Sequence, residues 1–190
     1  MGSLAHYHEE LRDSNIVVVA TDSNNELASF SNACGDAADW CMAAPGTNIY
    51  STEVGGDYGV RNGTSMAAPL VSGALALMKS EFSNLTTKEA LHILKVTATD
   101  LGDEGVDNVY GHGLLNLDLA SMPLGETSIQ AGKKVGDKSY KMNESYIVGS
   151  GTLGAKLAAA ASSIDMSFTD SYDRSFEIKA DAFTHEATNT

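Results

Sequence analysis

The stretch "NGTSMAAPLVSGALALM", residues 62–78, decides how the chain is read. From Leu70 to Met78 it is apolar nearly all round, the pattern of a helix buried on most of its faces. Gly63 permits a tight turn ahead of that helix, and Thr64 or Ser65 is placed to accept an orphan N–H as its cap. Pro69 is tolerated only near the first turn, where its missing donor costs nothing. A capped, buried helix explains these residues but not the crowding of small ones after Ser65.

Met66, Ala67 and Ala68 follow the serine directly, so the turn sets its hydroxyl at the start of a helix with little bulk around it. Unpaired N–H groups and the positive end of the helix dipole favour negative charge there, as acyl transfer requires. Local sequence alone leaves both readings of Ser65 open, a helix cap or a nucleophile.

The surroundings of the turn separate them. "GTSMAAP" (63–69) follows "FSN" (30–32) and "MAAPGTNIYST" (42–52), and precedes "YGHGLLNLDLA" (110–120). In this order and spacing, over about residues 16–122, the chain resembles the serine-bearing half of the subtilisin-like serine proteases, the subtilases. The resemblance implies that Ser65 attacks the scissile carbonyl, that its backbone N–H forms part of the oxyanion hole, and that Thr64 supports that hole. Leu70 stands where the family usually has a histidine; that histidine is not the general base, so the chemistry is not put in question.

The order of the family's triad is Asp, then His, then Ser. The 64 residues before Ser65 hold no Asp-(Thr/Ser)-Gly strand end, no His-Gly-Thr helix start and no Asn in an Ala-Gly-Asn loop. His6 and His8 in "LAHYHEELRDS" lack the glycine that follows the family's base and read as a solvated face of a short helix. His112 in "YGHGLLN" reads as structural, His92 lies on the helix "TTKEALHILKVTA", and His185 lies in a polar tail. In subtilisin itself, loss of the base costs about a millionfold in kcat. Loss of the oxyanion asparagine costs a further factor of about 10² to 10³. The isolated chain is therefore expected to be close to inert, with catalytic Asp and His outside it.

Composition agrees with a folded protein: 190 residues, 43% hydrophobic, 18 glycines. The 25 acidic against 12 basic residues give a net charge of −13, which argues against nucleic acid or anionic membrane as a partner; a protein or peptide substrate is what the resemblance to the subtilases implies. No apolar run reaches the length of a spanning helix, since Pro69 and Gly73 interrupt Met66–Met78. "MGSLAHYHEE" lacks the pattern of a signal peptide. The Asn-x-Ser/Thr triplets at Asn62, Asn84 and Asn143 read as chance. No metal site and no cofactor is expected.

Cys34 and Cys41 lie seven positions apart in "SNACGDAADWCMAAPG". No further metal ligand stands close in sequence, so a disulfide closing a short loop is favoured over two buried free thiols. Such a bond implies passage through an oxidising compartment. The "CG…WC" loop resembles one branch of the subtilases, the protease passengers of bacterial autotransporters. The tail adds to this: beyond Pro123 the chain turns to short Gly-punctuated segments, with alternation in "SYIVGSGTLGAKL" and "SFEIKADAF". Its "SYDRSF" (171–176) is similar to an element that links such proteases to an outer-membrane barrel. No barrel follows before Thr190, and both ends are expected to be cut.

The expected fold is α/β: the C-terminal half of a subtilisin-like parallel-sheet sandwich over residues 1–122, then a β-rich linker region over 123–190. "SNIVVVATD", "LASFSN" and "WCMAAP" are the strand candidates. The Ser65 helix packs on them, and Thr86 or Thr87 opens a second helix with Ala90, Leu91, Leu94 and Ala98 on one face. Two functions follow: the nucleophile-bearing part of a secreted or surface-displayed endopeptidase, completed by the missing N-terminal part of the same domain, or a stand-alone inactive relative used for binding or assembly.

Overall fold

The computed structural model describes residues 7–130, 139–141, 147–149, 156 and 159–186. His6 and Asn143 lie outside these, as does most of "SYIVGSGTLGAKL". The chain separates into two compact units, Met1–Met122 and Pro123–Thr190.

In the first unit, β1 (Val17–Thr21) and β2 (Cys41–Pro45) run parallel, in register from Val17↔Cys41 to Thr21↔Pro45. Strands sandwiched on both faces read as continuous apolar runs, and Cys41, Met42, Ala43 and Ala44 are all fully buried. Val19, Cys41 and Ala43 face a cluster with Cys34, joined by Val17, Leu27, Tyr110 and Leu114. The alternate residues, Ala20 and Met42 among them, face α1 (Thr64–Glu81). That helix turns Ala67, Val71, Ala74 and Met78 inward, at spacings of three and four.

The far side of β2 is covered by the glycine-rich segment 111–115, which bonds to it through Ala43 N–H to Gly113 (2.8 Å) and Leu115 N–H to the Ala43 carbonyl (2.8 Å). Glycine is required at position 111, where φ is 63° and a Cβ would stand 2.3 Å from the Cys41 carbonyl oxygen.

Three sequence expectations are corrected here. "LASFSN" is not a strand. Asn25 takes a left-handed φ of 64°, and the chain folds back so that Ala28 N–H donates to the Ala20 carbonyl and Ser31 Oγ accepts the Ala20 N–H. The segment thus caps one end of the outer edge of β1 instead of extending the sheet. The serine helix is not buried on most faces: Leu70 is 39% and Leu77 60% exposed, because the unit supplies only one layer for it to pack on. The second helix, α2 (Thr87–Val96), ends before Ala98, where Thr97 Oγ1 donates to the Ile93 carbonyl at 2.7 Å. Thr86 and Glu89 close a capping box, and Ala90, Leu91, Ile93 and Leu94 are buried.

Between β2 and α1 stands the hairpin of β3 (Ile49–Thr52) and β4 (Tyr58–Arg61), paired Ile49↔Arg61 through Thr52↔Tyr58. Arg61 Nε reaches Glu53 at 2.7 Å on one side, and the Tyr50 and Tyr58 rings stack at 5.5 Å. After α2, Asn116 caps the short α3 (Leu117–Ala120) by accepting the Leu119 N–H.

The second unit contains β5 (Ser128–Gln130), β6 (Ser139–Lys141), β7 (Ile147–Gly149), β8 (Asp165–Thr169), β9 (Ser175–Lys179) and β10 (Thr184–Glu186). The sheet order is β6-β5-β8-β9, with β7 and β10 as a separate parallel pair. The β8–β9 turn is organised around a fully buried ion pair. Arg174 Nε and Nη2 donate to Asp170 Oδ2 at 2.9 and 2.7 Å, and the N–H groups of Tyr172 and Arg174 donate to Oδ1. Burial pushes the Asp170 carboxyl up. The Arg174 guanidinium and the N–H groups of Leu124, Tyr172 and Arg174 outweigh that and hold it below its ordinary value.

Candidate active site

The serine turn is built from glycine backbone. Gly63 is the N-cap of α1, with φ 153°, and its carbonyl accepts the N–H groups of Met66 (3.0 Å) and Ala67 (3.3 Å). No side chain caps the helix, which corrects the expectation for Thr64 or Ser65: both already have helical backbone, as its first and second residues. Thr64 is partly buried and Ser65 exposed.

Ser65 is consequently uncommitted. Among the described residues its Oγ has no hydrogen-bond partner, and neither its N–H nor that of Thr64 has an acceptor. An exposed hydroxyl beside free donors at the positive end of an 18-residue helix is a place where a developing oxyanion is stabilised.

Contacts of Gly46, Asn48 and Asn62 that sequence reasoning did not anticipate fix this turn. Gly63 N–H donates to the Gly46 carbonyl at 2.8 Å, and Gly46 N–H donates to the Thr21 carbonyl at 2.9 Å, so the turn hangs on the end of β1. Asn48, with φ 54°, donates its N–H to Asn62 Oδ1 at 2.6 Å, which closes the base of the β3–β4 hairpin. The available signal was the Pro-Gly-Thr-Asn run after β2, whose turn-forming residues mark a shaped loop.

Thr64 also lines a hollow with Val18, Phe30, Asn32 and Cys34, along the edge of β1 that faces away from β2. Thr21 uses its carbonyl towards the β2 side, through Gly46, so by strand alternation Ala20 and Val18 point their backbone groups to this outer edge. Ala28 and Ser31 occupy those of Ala20. The hollow therefore adjoins an open stretch of strand at Val18.

His8 and His112 are engaged elsewhere. His8 Nδ1 pairs with Glu10 at 3.0 Å. His112 Nε2 donates to the Asp39 carbonyl at 2.9 Å, a structural tie between the segment after α2 and the 3-10 turn Gly35–Trp40. His92 lies within α2 and His185 within β10. Among the described residues no histidine hydrogen-bonds to Ser65, and no group of His, Cys, Asp or Glu is arranged to hold a metal ion. No helix of the described residues is long and apolar enough to cross a membrane.

Cys34 and Cys41 form a disulfide, with Cα atoms 5.9 Å apart, that closes the 3-10 turn Gly35–Trp40. Cys34 and Gly35 donate their N–H groups to the Val109 and Asn108 carbonyls, so this loop is also tied to the segment covering β2.

Known proteins resemble this chain in sequence and in fold. The subtilase family model aligns with residues 3–113, and the chain belongs to that family. It is 42% identical over 127 residues to serotype-specific antigen 1 of Mannheimia haemolytica, covering 63% of this chain and 14% of that protein. It is 34% identical over 137 residues to an extracellular serine protease of Serratia marcescens, covering 60% and 13%. With subtilisin DY of Bacillus licheniformis it shares 43% over 109 residues, 57% of this chain and 38% of the other. Among solved structures, that of MycP1 from Mycobacterium smegmatis superposes with a TM-score of 0.55 at 28% identity, covering 65% and 33%. The chain thus spans between 13% and 38% of the length of these three curated relatives.

Proposed function

We propose that residues 1–122 carry the nucleophile of a secreted or surface-displayed serine endopeptidase. The observation that carries this is the state of Ser65: exposed, unbonded, and beside unpaired N–H groups at a helix start, in a chain of the subtilase family.

In the proposed reaction Ser65 Oγ attacks the carbonyl carbon of a peptide bond and passes its proton to a histidine outside this chain, itself oriented by an aspartate outside it. The Ser65 N–H stabilises the tetrahedral oxyanion and Thr64 supports that site. Collapse expels the amine, which takes the proton back from that histidine, and leaves an acyl-Ser65 ester; water hydrolyses it, releasing the acid and restoring the Ser65 hydroxyl. The part supplying His and Asp docks along the outer edge of β1 at Val18 and over the exposed side of α1, where Leu70 and Leu77 await a second layer. Residues 123–190 form a β-rich linker between the peptidase and an outer-membrane barrel. Export is supported by the Cys34–Cys41 bond and by the printed names of the relatives, an antigen and an extracellular protease.

The test is an acylation burst. This chain is mixed with a separately produced polypeptide carrying the Asp- and His-bearing portion of a subtilisin domain, and a p-nitrophenyl ester is added. The expected result is a stoichiometric burst and an acyl adduct on the peptide containing Ser65. A stable mixed complex with neither would favour the inactive binding module, a reading that the lack of a histidine bonded to Ser65 among the described residues keeps in view.

A further inference from the structure

Gly46 is the residue at which the sheet meets the serine turn. It is buried, and its backbone links both sides: its N–H donates to the Thr21 carbonyl at the end of β1, and its carbonyl accepts the Gly63 N–H. The Gly63 carbonyl in turn receives the first helical donors, Met66 and Ala67. One short chain of hydrogen bonds therefore runs from strand β1 through Gly46 and Gly63 into the helix that presents Ser65.

The reason for glycine at 46 is space, not backbone freedom. Its φ is not among the positive values of the chain, so an alanine could adopt the same backbone. A Cβ there would stand 2.4 Å from Ala20 Cβ and 3.0 Å from the Gly63 carbonyl oxygen. The first contact is far inside van der Waals range and lies within the strand–loop packing. The second is tight and falls on the atom that caps the serine helix. The two contacts point to different consequences, one for packing and one for the site.

We propose that Gly46 is a positioning residue for Ser65: the empty space at its Cα lets the Gly63 carbonyl approach closely enough to seat the first turn of α1, and so sets where the Ser65 hydroxyl and N–H sit. This rests on the reading of Ser65 as the nucleophile. Gly46 touches no reacting atom and acts through Gly63.

The two contacts can be separated by mutation. Gly46→Ala meets both, whereas Gly46→Ala with Ala20→Gly removes the 2.4 Å clash with Ala20 Cβ and leaves the Gly63 carbonyl at 3.0 Å, with the Cα of residue 20 at 3.3 Å as the milder remaining contact. A displacement of about 1 Å at a reacting group can cost about 100-fold in rate. In the mixture described above, Gly46→Ala is expected to lower kcat by about that factor, with KM within about twofold. The double variant is expected to recover the thermal midpoint of Ala20→Gly while kcat stays low. Recovery of kcat together with the midpoint would overturn the proposal, since Gly46 would then serve packing alone. So would an unchanged kcat in Gly46→Ala.

Should the unmutated mixture associate and yet show no turnover, the nucleophile reading fails by itself, and amide exchange decides the role of Gly46. Faster exchange at Met66 and Ala67 in the double variant than in Ala20→Gly, by about tenfold, is the expected result. Equal rates would overturn it.

Discussion

Ser65 and Asp170 show opposite ways of holding a polar side chain. Ser65 is left exposed with its hydroxyl unbonded, which costs little stability and keeps it free for chemistry. Ser65→Ala is therefore expected to leave the unfolding free energy within about 0.5 kcal/mol of the parent while abolishing acylation. Asp170 is buried and takes donors from Leu124, Tyr172 and Arg174. Asp170→Asn strands the Arg174 charge in the interior and is expected to cost about 3–5 kcal/mol by chemical denaturation. Combining Asp170→Asn with Arg174→Met costs less, because no unpaired charge remains. The sign of the pH effect follows from the lowered Asp170 pKa: its contribution is present above the unfolded value and is lost as pH falls through the folded one. Acid titration of the second unit is expected to show this loss below about pH 4, and Asp170→Asn to remove it.

At the scale of elements, what was legible in sequence follows period and punctuation. The β-branched run before Thr21 gave β1, and "CMAAP" gave β2, because both strands are covered on two faces and read as unbroken apolar stretches. Thr86 and Glu89 gave the start of α2 through the capping box. Thr86→Ala is expected to cost about 1 kcal/mol and Leu94→Ala about 2–5 kcal/mol, read from denaturant midpoints. What could not be read is tertiary. "LASFSN" has strand composition, yet Ser31 Oγ and Ala28 N–H satisfy Ala20 by folding back. The serine helix is apolar all round, but only Ala67, Val71, Ala74 and Met78 find a layer within the unit. The Cys34–Cys41 loop belongs at this scale too. Replacing both cysteines by alanine is expected to lower stability by about 2–3 kcal/mol on loop entropy, seen as a lower midpoint that reductant no longer shifts.

Across the molecule, the site was legible as a position and not as a set. Residues 63–69 marked the turn and the helix that present Ser65, the proposed nucleophile, but the Gly46–Gly63 and Asn48–Asn62 contacts depend on which loops the sheet brings together, and spacing does not carry that. The exposed Leu70 and Leu77 and the open edge of β1 at Val18 are the surfaces from which the whole-molecule behaviour follows. The chain alone is expected to self-associate, visible as polydisperse light scattering that an Asp- and His-bearing partner reduces. A monodisperse monomer that melts cooperatively would count against those surfaces being docking faces. The central claim, that Ser65 is a nucleophile completed by groups outside this chain, is tested most directly with a fluorophosphonate probe. Labelling is predicted in the mixture with the partner, not in the chain alone, and not with Ser65→Ala. Labelling that survives Ser65→Ala, or none in a mixture shown to associate, would contradict it.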